Sequence, residues 1–159
     1  MAGVVGIVGP VIAAWAASRR LRKQQNHERR LRDRDHTRER LDDAIRAGQK
    51  ALERATNTMV LLALEDDDVE KSFDQLTADY IQLTSEVQRV ALWRKADDAI
   101  MTALLGYQDA MTDIIDELGE AQDAPGSVDS QTWKDLVSAL GKKQRALMDI
   151  AIERLGVRD

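Results

Sequence analysis

Cysteine is absent from the chain, which removes disulfides, thiolate zinc sites, iron–sulfur clusters and cysteine nucleophiles together. Two Pro, one Phe, two Tyr and three Trp in 159 residues leave little of the turn and aromatic material of a β-sandwich or barrel. Histidine occurs twice, as His27 and His36. On one helix their nine-residue separation points them to opposite sides, so they do not share a metal within a chain. No phosphate-binding glycine loop, dinucleotide fingerprint or Gly-x-Ser-x-Gly elbow is present. The sequence therefore carries no catalytic signature, and neither an enzyme nor a cofactor is expected.

Charge is also missing, locally. Residues 1–18 hold no Asp, Glu, Lys or Arg, and the chain then changes abruptly to Arg19-Arg20-Leu21-Arg22-Lys23. Residues 19–46 hold 11 basic and 6 acidic side chains, whereas residues 47–159 hold 12 and 22. The net charge of -5 thus conceals an apolar head, a basic neck and an acidic body.

The head reads MAGVVGIVGPVIAAWAA over 1–17. As a helix it is about 24 Å long, short for a hydrocarbon core of about 30 Å, although long Arg stems and local bilayer thinning accommodate short spans. Gly3, Gly6, Gly9 and Pro10 make a poor helix in water and are better tolerated in lipid. Trp15 stands one turn before the arginines, where an interfacial aromatic belongs. The expectation is a transmembrane anchor over 1–17. Its interface residues are Gly9, Ala13, Trp15, Ala17, Arg19, Arg20, Arg22 and Lys23. The positive-inside rule then places the chain in the inner (plasma) membrane as a single pass, N-terminus outside and body in the cytoplasm. A cleaved signal peptide fits less well, because the basic residues follow the apolar stretch. A buried N-terminal helix is the water-soluble alternative. Gly9, Ala13 and Ala17 recur every fourth residue, a small-xxx-small spacing compatible with self-association of spans.

The neck, 18–40, holds only two large apolar side chains, Leu21 and Leu31, and no Pro or Gly. Glu28 and Arg32, Arg29 and Asp33, Asp35 and Arg38, and Arg38 and Asp42 fall at helical spacing, each pair worth about 0.2–0.5 kcal/mol on an exposed helix. This predicts a long charged helical stalk. Nucleic-acid binding through the arginines is disfavoured, since acids are interleaved from Glu28 onward and no aromatic is present to stack on bases.

From Leu41 a heptad seam begins, with Ile45, Gly48, Leu52, Ala55, Met59 and Leu62. Neck and seam predict one helix from about 18 to 64, ended by Glu65-Asp66-Asp67-Asp68. A second helix over about 68–95 would turn Val69, Phe73, Leu76, Tyr80, Leu83, Val87 and Val90 inward. A third, about 98–121, would bury Ile100, Leu104, Tyr107, Met111, Ile114 and Leu118. Whether these two are continuous stays open. Gln122 to Asp129, with Pro125-Gly126 as the turn, leads to a fourth helix over about 130–155. That helix would bury Trp133, Leu136, Leu140, Leu147, Ala151 and Leu155 and be capped by Gly156.

The fold class expected is all-α: an N-terminal transmembrane helix over 1–17, a stalk over 18–40 and an antiparallel helical bundle or coiled coil over 41–159. Asp109, Asp113, Asp116 and Glu120 share one face of the third helix and form a possible partner-binding acidic face. No Glu-x-x-His pair accompanies them to make a dimetal site, and no metal is expected. The leading functional expectation is a membrane-anchored scaffold or protein-interaction module whose partners are membrane lipids and a protein or a second copy. A membrane-permeabilising protein of the holin type is the alternative from another class. The preference for Arg over Lys, 16 to 7, is the coding bias of a GC-rich bacterium or its phage.

Overall fold

A computed structural model describes the backbone of residues 5–92, 98–123 and 129–156, with side chains from Ser18 onward within those ranges. Among the described residues there are four helices and no strand: α1 Val5–Ala63, α2 Val69–Leu92, α3 Asp98–Asp123 and α4 Ser130–Leu155. The chain divides into two compact units, Met1–His36 and Thr37–Asp159.

The first unit is the N-terminal part of α1. From Ser18 to His36 its side chains are exposed apart from the half-buried Asp33, and Leu21 and Leu31 are 56% and 45% accessible. No core forms here, as a composition with two apolar residues in nineteen requires. Among the described residues no helix is long and apolar enough to cross a membrane. The transmembrane helix expected over 1–17 is therefore not supported by the described structure, and the reason is length. Between Val5 and Ser18 the uncharged helix covers about 21 Å before Arg19 and Arg20 intervene. Met1 to Val4, which complete the uncharged run, lie outside the described residues.

In the second unit four helical segments surround one apolar core. The ends of α2 and α4 are set by the residues that signal them. After Ala63 the chain turns through Glu65, a non-glycine residue with φ 52°, and the Asp66 N–H donates back to the Leu61 carbonyl at 3.1 Å. The Asp66 side chain then accepts from the Asp68 N–H at 2.9 Å, and the Asp68 carbonyl receives the Ser72 N–H at the start of α2. Asp129 caps α4 by accepting from the Gln131 N–H at 3.1 Å. Gly156, at φ 80°, closes α4 with its N–H on the Ile152 carbonyl at 2.9 Å. The Pro125-Gly126 turn lies outside the described residues.

The core is dominated by α3, where Ile100, Leu104, Tyr107, Met111, Ile114 and Leu118 are all buried, the six positions the heptad pattern indicates. Leu76, Leu83, Val87 and Val90 from α2 join them, with Leu140 and Leu147 from α4. Trp133, Leu136, Ala151 and Leu155, expected to be inward on α4, are only half-buried at the edge of this core.

In α1 the buried stripe differs from the seam of large residues. Leu41, Gly48 and Ala55 are buried as expected. The alternate positions are Ala44, Ala51 and Thr58, not Ile45, Leu52 and Met59, which are half-buried along the flank. Small side chains let a neighbouring helix approach closely, so the line of closest contact follows them and the larger residues fill the sides. Gly48 shows the limit of this. A Cβ there would overlap the Tyr107 hydroxyl and stand 2.5 Å from its Cε1. Tyr107 thus reaches from α3 to the backbone of α1, and its burial pushes the phenol up to about 12.

Arg38, assigned to the stalk by sequence, belongs to the second unit. Its guanidinium donates to the Leu155 carbonyl at 3.1 Å and to the Gly156 carbonyl. Those carbonyls end α4, where a cation is favourable for the helix dipole.

Candidate functional site

The seam between α1 and α2 combines small residues on one side with polar residues on the other. Ser72, Asp79 and Glu86 recur every seven residues on α2 and all three are buried. Heptad spacing keeps them on one stripe, and that stripe faces α1. Phe73 and Tyr80, one residue further on, were expected inward and are instead half-buried. The α1 partners run in the opposite direction, so the helices are antiparallel.

Each rung is resolved differently. At the first, the Thr58 and Ser72 hydroxyls share a hydrogen bond of 2.7 Å out of reach of solvent, and Thr58 also donates to the Arg54 carbonyl at 3.0 Å. At the second, the Asp79 carboxylate, with only 8% of its side chain accessible, accepts from Lys50 Nζ at 2.7 Å and from Arg54 Nε at 3.5 Å. Both cations reach it from the more exposed flank of α1, Lys50 with 56% and Arg54 with 34% of its side chain accessible. At the third, Glu86 Oε1 accepts from Arg89 Nη1 at 2.6 Å on its own helix. Its other oxygen, Oε2, is buried without a hydrogen-bond partner. A cleft of about 380 Å³ opens beside it, lined by Asp43, Arg46, Ala47 and Lys50 from α1 and by Gln82 and Glu86 from α2.

On α2's other flank the links to α3 are also polar. The Tyr80 and Thr112 hydroxyls are 2.6 Å apart, and Gln108 Nε2 donates to Thr84 Oγ1 at 3.4 Å. Between α1 and α4 the surface is mostly apolar, with Arg38 and Asp42 also in its lining. A groove of about 250 Å³ is floored by Leu41, Ile45, Met148, Ala151, Ile152 and Leu155, with Met148 and Ile152 close to half exposed.

Of the residues singled out by sequence, Asp109, Asp113, Asp116 and Glu120 all lie exposed on α3. They spread along about 16 Å of a single helix, so their carboxylates do not converge. Among the described residues no group of three or more His, Cys, Asp or Glu side chains is placed to hold a metal ion. Arg19, Arg20, Arg22 and Lys23 are exposed on the N-terminal part of α1. Gly9, Ala13, Trp15 and Ala17 are helical in backbone, and their side chains lie outside the described residues.

The rungs at Ser72, Asp79 and Glu86 were not anticipated. Their signal in the sequence is a seven-residue polar repeat running in phase with the small-residue repeat Ala44, Ala51, Thr58. No family model, no curated protein and no solved structure matches this chain.

Proposed function

We propose that this protein is a helical interaction module tethered to a membrane by its apolar N-terminal segment. The observation that carries the reading is the charge boundary at residue 18: an uncharged run of eighteen residues abuts four exposed cations, Arg19, Arg20, Arg22 and Lys23. Lipid solvates the first and anionic headgroups attract the second, at about 1 kcal/mol per basic residue near the surface. In this reading residues 1–17 form a short single pass with Trp15 at the interface. The positive residues keep Thr37–Asp159 on the cytoplasmic side.

Supporting the second half of the reading, the bundle carries surfaces suited to contact, not to chemistry on a substrate. These are the apolar groove between α1 and α4 and the acidic face of α3. The partner is a protein or a second copy of the chain.

Fractionation tests the tether. The intact chain is expected in the membrane fraction, resistant to high salt and released by detergent. Deleting residues 1–17 moves it to the soluble fraction with its helical circular dichroism retained. A truncated protein that stays with membranes, or an intact one that salt releases, contradicts the proposal. Because the chain has no cysteine, a single Ser130→Cys reports topology with an impermeant thiol reagent: the residue is protected in intact cells and labelled in inverted vesicles.

A further inference from the structure

We propose that the bundle part of α1, Thr37–Ala63, is a releasable strap that detaches from a still-folded α2–α3–α4 core more readily than that core unfolds. This adds a conformational regulation to the interaction-module reading and is tested without the membrane tether. Hydrophobic stabilisation scales with the apolar area withdrawn from water. Helix α3 hides six large side chains, Ile100, Leu104, Tyr107, Met111, Ile114 and Leu118. Among the described residues of α1 only Leu41 is both large and buried. Ala44, Ala47, Ala51 and Ala55 complete its buried apolar stripe, and Ile45, Leu52 and Met59 stay half-buried. Detaching α1 therefore forfeits less apolar burial than detaching α3.

Its seam with α2 is polar. Ser72 donates to the Thr58 hydroxyl at 2.7 Å, because the Thr58 proton goes to the Arg54 carbonyl, and Asp79 accepts from Lys50 and Arg54. Water replaces such partners when a seam opens, so their net contribution is modest. Glu86 Oε2 is buried in the closed seam without a hydrogen-bond partner. Opening hydrates it, so this atom favours the open state. The turn joining the two helices runs through Glu65 at φ 52°, a left-handed conformation that is unfavourable for a non-glycine residue and that an opened turn need not keep. Opening brings Leu76, Leu83, Val87 and Val90 on α2 closer to solvent, so the strap gates an apolar surface that the closed bundle hides.

The test is native-state hydrogen exchange of the intact, detergent-solubilised chain at low urea concentrations. The amides of Ala44, Ala51 and Ala55 should exchange together, through an opening at least about tenfold more populated than the one that exposes Leu104, Met111 and Ile114. Two variants separate the steps. Gly48→Ala, whose Cβ overlaps the Tyr107 hydroxyl, destabilises only the closed state, so it should speed both groups of amides by the same factor. Tyr80→Ala, on the flank of α2 that bonds Thr112 of α3, should speed the α3 amides and leave the α1 group unchanged. Because the chain has no cysteine of its own, Thr58→Cys with Ser72→Cys can lock the seam. Oxidation should bring the α1 amides to the protection of the α3 amides, and reduction should restore the gap. Equal protection of the two groups in the unmodified chain, or an equal effect of Tyr80→Ala on both, makes the bundle one cooperative unit and overturns the proposal. An oxidised pair that leaves the α1 opening as it was overturns it as well. If the double cysteine variant does not fold or oxidise, the unmodified chain and Tyr80→Ala decide alone.

Discussion

The two parts of α1 on either side of residue 36 are helical for different reasons. From Ser18 to His36 the helix holds almost no apolar surface, and charged side chains at three- and four-residue spacing cover it. From Thr37 to Ala63 the same helix hides a stripe of Leu41, Ala44, Gly48, Ala51, Ala55 and Thr58. Local pairs worth a few tenths of a kcal/mol each maintain the first; tertiary packing, of much larger total magnitude, maintains the second. Helix content alone therefore says little about stability along this chain. A leucine at position 31 and a leucine at position 104 share a secondary structure and little else.

Substitutions can break or sharpen that contrast. Leu104→Ala, at a fully buried site, should cost about 2–5 kcal/mol in urea unfolding monitored by circular dichroism. A cost under about 1 kcal/mol would mean that α3 is not the centre of the core.

The next effect is a pH dependence at Tyr107. Unfolded tyrosine releases its proton near pH 10, and the folded residue holds it until about 12. Between those values the folded state binds more protons than the unfolded one, so stability falls as pH rises. The contribution is complete below pH 10 and lost by about 12, at most about 2–3 kcal/mol. Tyr107→Phe should remove this component from a comparison of unfolding at pH 9 and pH 11.5, leaving the part common to both proteins.

Smaller still is the Thr58 and Ser72 pair. Thr58→Ala should cost about 1–2 kcal/mol because the Ser72 hydroxyl stays buried without its partner, whereas adding Ser72→Ala should recover part of the loss. Strict additivity of the two substitutions would show that they do not form a unit. Smallest is Leu31→Ala, expected to change stability by under about 0.5 kcal/mol, since the side chain is 45% accessible in a segment with no core.

Much of the bundle was legible in the sequence. The expected second and fourth helices, about 68–95 and 130–155, correspond to Val69–Leu92 and Ser130–Leu155, and Gly156 sits at the cap expected of it. The third helix was legible down to its six inward side chains, because α3 is central and its large residues have apolar neighbours. The α1–α2 seam was not. An apolar period ranks positions by side-chain size and so selects Ile45, Leu52, Met59, Phe73 and Tyr80. The line of closest approach instead runs through alanines, a threonine and three polar residues whose burial depends on partners from another helix. Asp79 reads as a surface charge until Lys50 and Arg54 are seen on it. The acidic face of α3 was legible as a face, and its exposure follows from the same pattern. The apolar head was legible as composition, but the uncharged helix in the described structure is shorter than a membrane span.

The most direct measurement of the account is hydrogen exchange along the intact chain, with and without vesicles containing anionic lipid. Residues 5–18 should become protected only when lipid is present, while peptides from Ser18 to His36 exchange quickly in both conditions. The cores of α2, α3 and α4 should be slow in both and unchanged by lipid. Equal protection of residues 5–18 in water alone, or lipid-dependent protection that appears within the bundle instead, would contradict a lipid-solvated head joined to an independently packed body.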